Sequence, residues 1–579
     1  MVERNHSSTY PSIDKPWESG HSFFDKNPII PNTSIYRLLK LLCMGKKDKT
    51  AIECGNMTVS YRQMFQDARI VSTALTVLGV KRGDIVAICM PNFYQAIVPF
   101  FACNRIGAIA TYLNPGMSDD EIKEYLKLYS SPILFNFAKT REENAALLDD
   151  SPANYIITVQ PDQLNNSDMN QANGDHRQIG QLDYHSLGYI SEQHKPVRDR
   201  LHIGKSPALI LYTSGSTGQP KSVLLTNENV IAALMYANNT SDWGKLGISR
   251  ILVCVPFAYP YGFVTSLLSA LFSHSVAILA PDIGQDTVKY YYTKKPEMVF
   301  GSPALLDLTI NGVPDGQDIS SVKCFISGGD FLTVSHAEKG RQFFAAHNAV
   351  TEIGNGAGNA ETVSITTTPA GVENKPETVG IVLVGSSAIV IDPETMQEKP
   401  YGEEGMLCIA GKHVFKEYYK EPELTADAKF VFKGKTYFKT GTLGFLDEKG
   451  YFTLTGRSSR FYIRSSLDKI YLDHVQNVIC RFDCVYDCAV VKVPDAEQLY
   501  INYAYVVLDT GWQASDETRK MIFNLCHRPV ILANGKQDQL KEFEIPQKVI
   551  FLKELPRRSG TEKIDYAALE ALTREKAYE

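Results

Sequence analysis

Apolar and polar positions fall in blocks along this chain, short apolar runs alternating with longer mixed stretches. Leu209, Ile210, Leu211 and Tyr212 form one apolar run, and Val223, Leu224 and Leu225 form another. Runs this short with no polar face predict strands buried on both sides. Between residues 60 and 115, Gly83-Asp84 marks a turn into a strand over 85–90, and Pro91-Asn92 ends it. Gly107 stops the next helix before a strand at 108–113. Thr226 is placed to cap a helix running from about 227 to 238. The alternation continues over 203–365 and predicts a mixed α/β sheet. Residues 375–455 are dense in short strand patterns and glycine turns, such as Gly402-Glu403-Glu404-Gly405 and Asp447-Glu448-Lys449-Gly450. Beyond about 460 the pattern is that of a small α+β unit. Residues 160–200, rich in Asn, Gln, Asp and His, show little periodicity and read as an exposed loop or insertion.

The segment joining the two apolar runs carries the first chemistry. Thr213-Ser214-Gly215-Ser216-Thr217-Gly218-Gln219-Pro220-Lys221 holds two glycines, four hydroxyls and a lysine. Small residues let backbone N–H groups turn inward and approach an anion. The hydroxyls add donors, and Lys221 adds a point charge suited to phosphate. The segment reads as a loop that grips a polyphosphate. A flexible Ser/Gly linker is a poor alternative, because linkers are not bracketed by buried strands. A P-loop is a poor match as well, since Gly218 is followed by Gln219-Pro220 and a strand, not by Lys-Ser/Thr opening a helix.

Composition narrows the partners. The chain has 579 residues, 44% hydrophobic and 21% charged, with a net charge of −6, values of an ordinary globular protein with no nucleic-acid surface. Residues 2–20 are polar and offer no secretory h-region, and no stretch of 18 uncharged apolar residues offers a membrane span. Eleven cysteines without a signal segment predict reduced thiols and a cytoplasmic protein. Cys480, Cys484 and Cys488 lack a fourth ligand at zinc spacing and read as buried small hydrophobes.

The Tyr212–Lys221 segment resembles the signature of the AMP-forming adenylate ligases: acyl-CoA synthetases, peptide-synthetase adenylation domains and luciferases. The resemblance extends over nearly the whole chain. It implies a large N-terminal domain of two mixed α/β sheets plus a small β-subdomain, residues 1–456, and a small mobile α+β C-terminal domain, residues 457–579. The implied reaction joins a carboxylate to the α-phosphate of ATP with Mg²⁺ and expels pyrophosphate. A thiol or amine then takes the acyl group, with coenzyme A or an acyl-carrier protein among the acceptors.

The same resemblance assigns roles by residue. Thr213, Ser214, Gly215, Ser216, Thr217, Gly218 and Lys221 form the phosphate loop, with Thr213 and Lys221 also serving the chemistry. Gly354–Thr362 resembles the family's Asn-Gly-Tyr-Gly-x-Thr-Glu segment. In it Glu361 matches the Mg²⁺ ligand, and Asn355, Gly356 and Ala357 fall at the nucleotide, as do Gly329 and Asp330 upstream. Thr442 stands at the ribose position in Tyr437–Gly444, Arg457 at the hinge, and Lys563 at the position that bridges carboxylate and α-phosphate. Tyr259, Gly328 and Ala360 fall on the acid. Ala258 occupies a position where amino-acid-activating members place an aspartate. An aryl or medium acyl acid is therefore expected.

The departures leave a second reading open. Ala357 replaces an adenine-stacking tyrosine, Thr442 a ribose-binding aspartate, and Leu467 a glycine beside the pantetheine tunnel. Losing the ribose bonds costs about 3–5 kcal/mol and the stack roughly 1–3 more, on the order of a thousandfold in affinity. The alternative is a catalytically weakened homologue that binds a nucleotide or acyl group, or serves as a scaffold.

Overall fold

The computed structural model describes all residues except 1–8, 162–163, 165–179, 200–202, 214–219, 242–245, 331, 370–374, 376–377, 459, 465–468, 496, 532–536, 559–562 and 577–579. Ser214, Gly215, Ser216, Thr217, Gly218 and Leu467 thus lie outside the described residues.

Two large sheets carry the first two thirds of the chain. One runs, in spatial order, Glu417–Tyr418, Ser222–Thr226, Pro207–Tyr212, Ile109–Tyr112, Ile85–Cys89, Ile133–Phe137, Tyr155–Val159 and Gln181–Asp183. The other runs Glu352–Asn355, Cys324–Ser327, Met298–Gly301, Arg250–Val253, Val276–Leu279, Thr50–Cys54 and Met57–Ser60. Most pairs are parallel, and the central strands are buried along their whole length, as sheets covered on both faces require. The largest apolar cluster joins Ile52 and Val253 of one sheet to Ile88 and Leu209 of the other, through Phe100, Phe101 and Phe263.

A small antiparallel sheet follows. Ser387–Ile391, Gly405–Ala410, Lys435–Leu446 and Lys429–Phe432 pair in that order, and Phe452–Arg457 adds to Lys435–Leu446. The last unit has its own core. Val485–Asp495, Leu499–Leu508 and Lys548–Phe551 form a three-stranded sheet against helices Leu472–Ile479 and Asp516–Cys526. Cys480, Cys484 and Cys488 are buried in that cluster. The mixed α/β class and the large-plus-small division follow the sequence reading.

Local signals act as expected at several boundaries. Thr226 accepts a hydrogen bond from Asn229 N–H and caps helix Asn227–Thr240. Gly107 takes the left-handed conformation that ends helix Tyr94–Ile106. The expected loop at 160–200 needs correction where it is described. Gln181–Asp183 is a strand parallel to Tyr155–Val159, and Ser186–Glu192 is a helix against Tyr61–Val77. Leu182, Leu187 and Ile190 are buried, three anchors that the polar composition around them conceals.

Candidate active site

Parallel sheets present ligand sites at the carboxyl ends of their strands. Here both large sheets do so toward one cavity of about 1090 Å³. The residues just beyond Val253, Leu279, Gly301, Ser327 and Asn355 of one sheet line it, as do those beyond Cys89, Tyr112 and Tyr212 of the other.

The phosphate-loop segment is tied at its mouth. Thr213 N–H donates to Lys221 O at 3.1 Å, and Lys221 N–H donates to Thr213 Oγ1 at 3.0 Å. Both residues line the cavity. Lys221 Nζ lies 5.1 Å from the centre of the Tyr418 ring, whose hydroxyl donates to Glu361 Oε1 at 2.5 Å. Glu361 is only 6% exposed, in a turn after Gly358. A Cβ at Gly358 would lie 2.0 Å from Ser364 O, so only glycine fits. Burial pushes the Glu361 carboxyl up, while the Tyr418 hydroxyl, Lys221 and Arg457 pull it back toward the charged form. No sequence signal marks Tyr418. It lies 57 residues from Glu361, and no motif joins the two.

Arg457 ends strand Phe452–Arg457, and its N–H donates to Asp473 Oδ2 at 2.8 Å. Lys563 reaches the cavity from a hairpin in which Arg558 N–H donates to Lys563 O at 2.8 Å and Asp565 N–H to Pro556 O at 2.7 Å. Burial lowers the Lys563 ammonium to about 8, with Arg457 and Arg558 adding to the effect and Asp330 opposing it.

At the acid end, Asn92 Nδ2 donates to Val255 O at 2.8 Å, and Asn92 Oδ1 accepts from Phe257 N–H at 3.0 Å. Asn114 Nδ2 donates to Tyr259 Oη at 3.3 Å. Tyr261 opens a π-helix, Tyr261–Leu268, and its hydroxyl reaches Gly301 O and Ile326 O at 3.1 and 2.7 Å. A Cβ at Gly262 would lie 2.2 Å from Val255 O. Cys254, Ala280, Ile283, Phe300 and Leu305 give this end apolar walls. Thr265 Oγ1 and Ser327 Oγ are buried on the lining without a hydrogen-bond partner among the described residues.

Of the residues expected at the site, Thr213, Lys221, Tyr259, Gly328, Gly329, Gly356, Ala360, Glu361, Arg457 and Lys563 line the cavity. Four do not. Asp330 turns instead toward Arg557, 3.9 Å away. Asn355 ends a strand paired with Ser327. Ala357 bridges Thr367 and packs against the small sheet's cluster. Thr442 is buried opposite Arg457 in the ladder, its N–H donated to Thr440 Oγ1. In place of Ala357 and Thr442, the lining takes their neighbours Gly356, Gly358, Thr440 and Gly441.

Comparison with known proteins decides the family. The profile described as AMP-binding enzyme matches residues 42–419, and that of the AMP-binding enzyme C-terminal domain matches 474–563. The chain belongs to the AMP-binding enzyme family. Among its relatives is the long-chain-fatty-acid–CoA ligase of Bacillus subtilis (strain 168), 25% identical over 574 residues, covering 94% of this chain and 95% of that protein. ATP-bound MatB from Rhodopseudomonas palustris shares the fold with a TM-score of 0.76 at 24% identity, over 95% of this chain and 100% of that one. The anthranilate CoA ligase AuaEII, in complex with anthranoyl-AMP, does so with 0.77 at 19%, over 95% and 98%. As a member of this family the chain is an AMP-forming acid ligase using ATP. No helix among the described residues is long and apolar enough to cross a membrane.

Proposed function

We propose that this chain activates an aryl or medium acyl carboxylic acid as its acyl-adenylate and passes the acyl group to a thiol, with coenzyme A as acceptor. One observation carries the reading. Lys221, Glu361, Arg457 and Lys563, each about a hundred residues or more from the next, line one cavity whose far end is apolar. A carboxylate oxygen attacks the α-phosphorus, the new acyl phosphate bond forms, and the bond to pyrophosphate breaks. Charge on the phosphoryl oxygens grows in that step, so the catalytic contribution is positioning and electrostatic stabilisation.

Lys221 and the hydroxyl of Thr213 hold the outer phosphates, and Lys563 draws carboxylate and α-phosphate together. Glu361 fits a Mg²⁺ ligand: among the described lining residues it is the one buried carboxylate, it lies near the Lys221 and Arg457 cations, and Mg²⁺ takes one or two carboxylates plus phosphate oxygens. That ion, when bound, supplies charge neutralisation on the phosphates. Arg457 is the hinge between a large unit, residues 1–456, and a smaller one, residues 457–579.

The apolar end supports the acid class. No charged side chain stands among Cys254, Val255, Ala280, Ile283, Phe300 and Leu305, and an ammonium or second carboxylate desolvated there would be costly. Thr265 and Ser327 leave hydroxyls for one polar group on the acid. The eleven buried, free cysteines suit a reducing, cytoplasmic setting.

ATP–pyrophosphate exchange across a panel of aryl and C4–C12 acids tests this reading. Exchange with at least one acid upholds it. A second reading, a weakened homologue, draws on Ala357 and Thr442 lying off the cavity. It is upheld instead if MgATP raises the melting temperature while no acid supports exchange.

A further inference from the structure

The hairpin that carries Lys563 is fastened to both halves of the molecule through the neighbouring Arg557. Arg557 faces Ile564 across the hairpin, one residue from Lys563. Its Nη2 lies 3.1 Å from Asp487 Oδ2, on strand Val485–Asp495 of the small unit. Its Nη1 lies 3.9 Å from Asp330 Oδ2, directly after the cavity-lining Gly329 of the large unit. A cavity of about 10 Å³ at this junction is walled by Asp330, Thr333 and His336 on one side and by Gln476, Asp487 and Arg557 on the other.

A second set of contacts closes the flank. Lys339 of helix Val334–Ala346 reaches Asp509 Oδ1 at 2.6 Å, and Ser335 Oγ donates to Asp509 Oδ2 at 3.0 Å. The Tyr486 hydroxyl donates to Asp307, and its ring lies 4.2 Å from that of His336.

We propose that the Asp330–Arg557–Asp487 bridge is a positioning device that seats Lys563 in the cavity for adenylate formation, and that it has no part in the later thiol-transfer step. The proposal rests on the ligase reading. Asp487 is 9% exposed, so it holds the guanidinium from behind at Nη2 while Nη1 faces Asp330. Arg suits this role because its planar fork can face two carboxylates at once.

The test separates the half-reactions. Arg557→Ala and Asp330→Asn should each lower kcat for ATP–pyrophosphate exchange by about 10- to 100-fold, with KM for ATP and acid within threefold. Thiol transfer from supplied acyl-adenylate should stay within twofold, and Arg557→Lys, which keeps the charge but loses the two-sided fork, should recover only part of the exchange rate. Equal loss in both half-reactions, or a loss confined to KM for ATP, overturns the proposal, the latter by returning Asp330 to the nucleotide. A readout free of activity accompanies it. All eleven cysteines are buried, so spin labels can be placed at Val350→Cys and Lys520→Cys, both exposed and on opposite units. Asp330→Asn should broaden the label distance distribution without ligand, and an unchanged distribution overturns the proposal. If the wild type shows no exchange with any acid, the ligase reading fails, and the distances alone still decide whether the bridge seats the hairpin.

Discussion

Replacing Lys563 by methionine removes its charge and keeps its stem, and two opposite effects follow from where the residue sits. The first is on catalysis. A cation about 4 Å from a phosphoryl oxygen, at the effective dielectric of about 20 suited to such sites, contributes about 4 kcal/mol. Lys563→Met should therefore slow adenylate formation by about a thousandfold. Acid binding should change by less than about threefold, because the charge acts on the phosphoryl transition state. The second effect is on stability. Holding an ammonium at this position costs about 3 kcal/mol, the equivalent of a lysine brought from 10.5 to about 8. That is a net cost, with the opposing pull of Asp330 already included, so Lys563→Met should raise the melting temperature of the free protein at pH 7 by a few degrees. Exchange kinetics and calorimetry on the same preparations read both effects. Wild-type exchange rates would show that the hairpin does not deliver Lys563 to the chemistry. A lower melting temperature would refute the burial argument.

The remaining expectations use other parts of the cavity. Because the Lys563 ammonium is present below pH about 8 and lost above it, kcat/KM for ATP should fall about tenfold per pH unit above that value, a limb that Lys563→Met should abolish. Glu361→Gln should lower exchange by at least about a hundredfold and raise the Mg²⁺ concentration needed for half-maximal rate, as measured by Mg²⁺ titration. Thr442→Asp, at a buried position off the cavity, should destabilise the protein by about 1–3 kcal/mol on thermal melting without tightening ATP binding. A tenfold gain in ATP affinity would instead show that the ladder leaves room for a ribose contact. Gly262→Ala, whose Cβ would meet Val255 O, should cost about 1–3 kcal/mol and raise KM for the acid.

How much of this site is legible in the sequence depends on how far apart its parts lie. The tied mouth of the phosphate loop, the turn before Glu361 and the cap at Thr226 are local devices. Their residues are neighbours in the chain, and small or hydroxylated side chains mark them. Tyr418 on Glu361 and Arg557 on Asp330 are contacts between distant segments, and nothing in either stretch marks the other. Ala357 and Thr442 illustrate a different limit. Each occupies a recognisable motif position, but a bridge to Thr367 in one case and the ladder register with Arg457 in the other decide which way the side chain goes. Likewise Leu182, Leu187 and Ile190 bury against elements far upstream, so the polar residues between them said nothing of the strand and helix they anchor.

Charge explains why the parts must assemble together. The chain as a whole carries −6, yet its cavity gathers Lys221, Lys439, Arg457 and Lys563 around Glu361, the one buried carboxylate among its described lining residues. Such an island draws a polyanion and repels its own members. Arg457 and Arg558 already push the Lys563 ammonium down, and Asp330 opposes them. A nucleotide polyphosphate reverses that balance, because each cation then gains a partner and the cost of burying it is recovered. Binding of ATP and seating of the Lys563 hairpin are thus linked through the same charges: whatever strengthens one strengthens the other by an equal free energy. When pyrophosphate departs, most of the anionic charge leaves with it and the cations again repel.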